Sequence, residues 1–162
     1  MNTRPLSEDI DLRRDSISSR AAVALIQALD AELLALYPEE GTVDYFRLDA
    51  AEVEPGRGAF FVAYAGQKPV ACGAIRMLDG ETAELKRMYV DRTARRRGLG
   101  RRLLAALEAE ARGLGARRIV LETGRRQPEA VGPYAGAGFG EIPAFGEYED
   151  SSSSLFMGKT LD

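Results

Sequence analysis

The residue types best suited to chemistry lie in one run, Arg95-Arg-Arg-Gly-Leu-Gly100. Glycines let a ligand approach the backbone closely, and a helix N-terminus presents unpaired N–H groups with roughly half a positive charge. Flanking arginines add charge-assisted hydrogen bonds. Together these features describe a cradle for a pyrophosphate. Two other phosphate loops are excluded by spacing. A P-loop needs Gly-x-x-x-x-Gly-Lys-[Ser/Thr], and the Gly-Lys-Thr at 158–160 has Ser153 where the leading glycine belongs. A dinucleotide fingerprint would need a third glycine at position 103, where Leu103 stands. The plainer alternative is a surface arginine cluster on an ordinary β–α turn.

The elements around the run are those a cradle requires. Glu84 to Val90 has the Met, Tyr and Val content of a strand. Leu99, Leu103 and Leu107 recur every four residues and form one face of a helix. A strand therefore feeds through a glycine turn into a helix start.

Arg95-x-x-Gly98-x-Gly100 after a strand resembles the [Gln/Arg]-x-x-Gly-x-[Gly/Ala] motif of the GNAT superfamily of N-acetyltransferases. A second block, Gln127-x-x-Ala130-x-x-x-Tyr134-x-x-x-Gly138-Phe139, is similar to that superfamily's Asn-x-x-Ala-x-x-[Leu/Phe]-Tyr-x-x-x-Gly-Phe. The resemblance implies acetyl-CoA as co-substrate, with no metal. It implies that Met88, Tyr89 and Val90 offer backbone groups to the pantetheine arm as another strand would. Arg95, Arg96, Arg97, Gly98, Leu99, Gly100 and Arg101 would surround the pyrophosphate, chiefly through backbone N–H groups. Gln127 stands where the family often has an asparagine that contacts the pantetheine arm.

Acetyl transfer to an amine needs a base, because an ammonium near pKa 10 has no lone pair. It needs donors for the oxyanion, such as a backbone N–H near Met88, and a proton for the leaving thiolate. The chain has no histidine, so the base must be a carboxylate, a tyrosine or a water relay. Glu84 lies fourteen residues before Gly98, the separation at which a histone-acetylating branch carries its catalytic glutamate. The alternative is a structural ion pair with Arg76, Lys86 or Arg87. Tyr134 matches the tyrosine that many members place beside the coenzyme sulfur; otherwise it is a core residue. Gly132-Pro133 departs from the family pattern just before it, and the missing proline N–H predicts a helix bent or tightened near Gly132. Cys72 could carry an acetyl group, but a lone cysteine in Val-Ala-Cys-Gly-Ala reads first as a small buried residue.

The remaining chain predicts a lead-in at 1–7 and a short strand near Ile10–Arg13. An amphipathic helix follows from Ser18 or Ser19 to Pro38, with Ala22, Leu25, Ile26, Leu29, Leu33 and Leu36 as its apolar stripe. Residues 38–57 read as an acidic loop or short helix bordering a cleft. Strands at Ala59–Tyr64, Val70–Met77 and Glu84–Val90 make an antiparallel meander. A strand at Ala116–Glu122, joined to the last of these by a helix, implies a parallel pair. A short helix from Pro128, a low-complexity loop at 149–154 and two final strands complete the order β-α-β-β-β-α-β-α-β-β. The fold class expected is mixed α/β: a mostly antiparallel twisted sheet of about six to seven strands flanked by helices, in one domain over 1–162.

Composition narrows the partners. The 162 residues are 45% hydrophobic and 29% charged, with a net charge of −3, which disfavours general nucleic-acid binding. No apolar run reaches membrane-spanning length, and the N-terminus lacks the apolar core of a signal peptide. One cysteine permits no internal disulfide. The expectation is a cytoplasmic enzyme moving acetyl from acetyl-CoA to a primary amine of a small molecule or peptide, with homodimerisation open. A non-catalytic coenzyme A-binding regulatory module is the alternative.

Overall fold

The computed structural model describes residues 10–38, 48–125, 128–146 and 154–162. The lead-in at 1–7, acidic residues Glu39, Glu40 and Asp44, Gln127 and most of the 149–154 loop lie outside them. Strands are β1 (Ile10–Arg14), β2 (Gly58–Ala65), β3 (Lys68–Met77), β4 (Thr82–Val90), β5 (Arg118–Gly124), β6 (Gly140–Glu141) and β7 (Ser154–Thr160). Helices are α1 (Arg20–Leu36), α2 (Leu99–Gly113) and α3 (Pro128–Gly136). The sheet runs β1-β2-β3-β4-β5-β7-β6, parallel only between β4 and β5 and antiparallel elsewhere. Element order and sheet class match the reading of the sequence.

Each large helix covers one face of the sheet. The α1 stripe buries Ala22, Leu25 and Leu29 against Phe60, Val62, Cys72, Ala74 and Tyr89. Ser19 is the N-cap, its hydroxyl accepting from the Ala22 N–H at 3.0 Å. On the other face, Leu99, Leu103, Leu104 and Leu107 of α2 pack with Ala71, Ile75, Leu85, Ile119 and Leu121. Burial of this kind is worth about 1.5–3 kcal/mol for each large aliphatic side chain. α2 stops at Gly115 (φ 93), where the Ala116 N–H reaches the Ala111 carbonyl and the Gly115 N–H the Arg112 carbonyl. That is a Schellman ending, which only a left-handed residue can make easily.

The helix expected from Pro128 forms across the Gly132-Pro133 pair. α3 continues through Pro133 to Gly136. A proline mainly crowds the Cβ and backbone of the residue before it, and Gly132 has no Cβ to crowd. The helix tightens in its last turn, where the Ala137 N–H is shared by the carbonyls of Pro133 and Tyr134, each at 3.0 Å.

Candidate active site

The site begins where the sheet opens. β4 and β5 pair only from Thr82/Arg118 to Leu85/Leu121. Beyond that point Glu122–Gly124 continue along β7, while β4 continues along β3. Among the described residues, no strand lies beside the edge of β4 from Lys86 to Val90 that faces β5. The Asp91 N–H bonds the Val70 carbonyl across β3, so by antiparallel alternation the backbone groups of Val90 point to the open side. A bulge lies within this edge: Arg87 (φ 58) and Met88 together oppose Gly73. A Cβ at Gly73 would collide with Met88 Sδ and Leu107 Cδ1. A side chain opposite the bulge would therefore have to displace the tips of Met88 and Leu107.

The open edge leads into the arginine–glycine run. Asp91 starts a 3-10 turn at Arg92–Ala94, its carboxylate accepting from the Thr93 N–H at 3.3 Å. Arg96 (φ 65) and Gly98 (φ 76) both adopt left-handed backbone, the geometry of a concave, anion-binding turn. Gly98 is the N-cap of α2 and no side chain caps that helix, in contrast to Ser19 on α1. The N–H groups of Leu99, Gly100 and Arg101 consequently point out of the helix end. A Cβ at Gly100 would meet only Val90 Cγ2, at 3.8 Å. The fold does not need a glycine there, but a ligand lying on the backbone would. These residues fit a pyrophosphate.

The individual residues divide into three groups. Arg96, Arg97 and Arg101 are exposed around the cradle, and an Arg101 guanidinium nitrogen lies 3.0 Å from where a Cβ of Gly136 would stand. Leu99 and Tyr89 are buried side chains, so only their backbones face the site. Arg95 turns back into the fold: its Nε donates to the Val90 carbonyl at 2.8 Å and its Nη2 to both oxygens of Glu32.

Glu84 and Tyr134 approach from opposite faces of the sheet. Glu84, fully buried, faces the α1 side opposite Arg76, whose Nε donates to its Oε1 at 2.8 Å. Arg76 Nη1 also donates to Glu52 Oε2, and Glu52 Oε1 accepts from the Asp49 N–H at 3.1 Å. Burial alone would raise the Glu52 carboxyl, but the Asp49 N–H and Arg76 outweigh it and hold it low. Lys86 lies two residues along the same face, and its burial pulls the ammonium below the ordinary lysine value, with Glu84 opposing. Tyr134 is half-buried on the α2 face, edge-on to Phe139 with ring centres 5.7 Å apart. Desolvation pushes its phenol up, so it carries its proton throughout the neutral range. Cys72 is buried, donates its thiol to the Arg87 carbonyl at 3.3 Å and is pushed up to about 12 by burial. That is the environment of an inert thiol.

Sequence reasoning named Arg76 among three possible partners of Glu84, and missed Glu52, Glu32 and the bulge. The signal for the bulge was Gly73 inside a strand pattern. The two glutamates carried no local signal, since their partners lie 24 and 63 residues away. Among the described residues no group of three His, Cys, Asp or Glu could hold a metal ion, and no helix is long and apolar enough to cross a membrane.

Known proteins share this fold. Residues 23–139 match the model of the acetyltransferase (GNAT) family. The chain is 38% identical over 154 residues to an "IAA acetyltransferase" of Azospirillum brasilense, covering 94% of this chain and 99% of that protein. A Klebsiella pneumoniae crystal structure assigned as an acyl-CoA N-acyltransferase superposes with a TM-score of 0.82 at 32% identity, covering 94% and 98% of the two chains. A GNAT family acetyltransferase from Elizabethkingia anophelis, with acetyl-CoA bound, shares the fold at a TM-score of 0.67 and 16% identity, covering 95% and 99%. The chain belongs to the acetyltransferase (GNAT) family and is an acyltransferase.

Proposed function

We propose that the chain transfers the acetyl group of acetyl-CoA directly to a primary amine of a small molecule or peptide. One observation carries this reading: the open edge of β4 leads, through the turn at Arg92–Ala94, into the uncapped N-terminus of α2. The edge offers strand-like backbone partners to the amides of a pantetheine arm, and the helix end offers N–H groups to a pyrophosphate. The acetyl-CoA-bound relative of the same fold supports the match.

In this reading the acceptor nitrogen attacks the thioester carbonyl, a C–N bond forms and the C–S bond breaks. The Met88 N–H, at the bulge, donates to the developing oxyanion. Glu84 takes the proton released by the amine, directly or through a water. Tyr134 gives its proton to the departing thiolate. Gln127, Arg96, Arg97 and Arg101 complete the coenzyme contacts. Cys72 takes no part.

The test is thiol release from acetyl-CoA against small amines, aminoglycosides, polyamines and peptide N-termini. Release with an acceptor supports the reading. Acetyl-CoA binding without release across the whole panel would instead indicate a coenzyme-binding module.

A further inference from the structure

We infer that Glu32 of α1 is a positioning residue for the coenzyme site, acting through Arg95; the inference rests on the acetyl-CoA reading above. Glu32 lies off the buried stripe of α1, yet its side chain is only 19% exposed. Both its oxygens accept from Arg95 Nη2, at 3.0 and 2.8 Å. The same guanidinium donates through Nε to the Val90 carbonyl at 2.8 Å and lies 5.7 Å from the centre of the Tyr89 ring. Val90 ends the open edge of β4, and Arg95 leads directly into left-handed Arg96 and Gly98. Arg95 therefore ties the end of the edge to the start of the cradle. Glu32 fixes Arg95 to α1.

The sign of one measurement separates this role from its rivals. Glu32 is an anion near a site for a polyanion, so Coulomb's law alone says that removing it tightens binding. If Arg95 were instead a direct phosphate ligand, losing Glu32 would release its guanidinium toward the phosphates and tighten binding further. Only a positioning role predicts weaker binding.

Calorimetric titration of the full chain with acetyl-CoA tests it. Glu32→Gln should weaken affinity by about three- to tenfold, the size expected of a half-buried ion pair. Glu32→Asp keeps the charge but withdraws it by one methylene, so any loss it shows is geometric. Combining Glu32→Gln with Arg95→Ala should be no worse than Arg95→Ala alone, because both break one connection. In steady-state assays the loss should fall on KM for acetyl-CoA rather than on kcat. Unchanged or tighter binding in both Glu32 variants, or additive losses in the double variant, would overturn the inference. Gly100→Asp, expected to weaken binding more than tenfold, serves as the comparison at the cradle itself. A wild-type chain that binds no acetyl-CoA would overturn the coenzyme reading itself, and this inference with it.

Discussion

Arg76 and Glu84 face each other across β3 and β4, joined at 2.8 Å, and the glutamate has no solvent exposure. This contact meets the ion-pair reading of Glu84 and leaves its role in proton transfer as a separate question. The guanidinium is shared with Glu52, so one cation serves two carboxylates.

Glu84→Gln separates the two roles, because the amide keeps an acceptor for Arg76 and loses the proton-accepting charge. If Glu84 is the base, kcat should fall by roughly 10²–10⁴ while acetyl-CoA affinity stays near wild type. Arg76→Leu provides the comparison. It breaks the same buried pair and should destabilise by about 3–5 kcal/mol, read from denaturant unfolding. A Glu84→Gln enzyme of normal kcat and lowered stability would leave Glu84 a structural anion.

The cradle gives a cleaner separation of fold from binding. At Gly100 an added methyl makes only an ordinary contact with Val90 and replaces a poor helix former with the best one. Gly100→Ala should thus melt at or above the wild-type temperature, yet bind acetyl-CoA about tenfold less well if that backbone touches the phosphates. At Gly98 the backbone is left-handed, so Gly98→Ala should cost about 1 kcal/mol of stability as well. Gly98→Asp and Gly100→Asp add a negative charge and should weaken binding more than tenfold. Unaltered affinity in both aspartate variants removes the cradle.

Much of this was legible in the chain because the signals were local. Leucines at 99, 103 and 107 announce α2, Ser19 its cap on α1, and Arg95 to Gly100 the turn between strand and helix. What escaped depends on partners distant in sequence. Nothing near Glu32 reports that α1 will pass Arg95, and nothing near Glu52 reports Arg76. Gly73 carried a trace of the bulge, but the side chains packed over it, Met88 and Leu107, come from two other elements.

The thiol of Cys72 yields a pH test. Its ionisation is pushed up to about 12 by burial, so at pH 8–9 the folded protein holds a proton that the unfolded chain releases. The native thiolate should be about a thousandth as abundant as the unfolded one. Iodoacetamide labelling should accordingly be negligible in the native state and rapid in denaturant. Stability should fall as pH rises above the ordinary thiol value, since the folded state then binds more protons than the unfolded. Cys72→Ala should keep kcat. Loss of turnover in that variant, with its fold intact, would revive an acetyl-cysteine intermediate.

Tyr134 provides the last test, with a sign that follows from its surroundings. Desolvation raises the phenol above its ordinary value of about 10, so it stays protonated through the neutral range and can act as an acid. If it protonates the leaving thiolate, Tyr134→Phe should lower kcat by about 10–10³ with little change in acetyl-CoA affinity. The edge-on contact with Phe139 uses the ring alone, so the substitution preserves packing and isolates the hydroxyl. Linkage supplies a second readout. A folded phenol that keeps its proton longer than the unfolded one lowers stability as pH climbs through and beyond about 10. Tyr64 and Tyr89 are also raised, so the wild-type curve contains all three. The difference between wild type and Tyr134→Phe reports Tyr134, and the variant should lose less stability across that alkaline range. A variant with wild-type kcat that still shows this alkaline difference would place Tyr134 in the core and assign thiolate protonation to water.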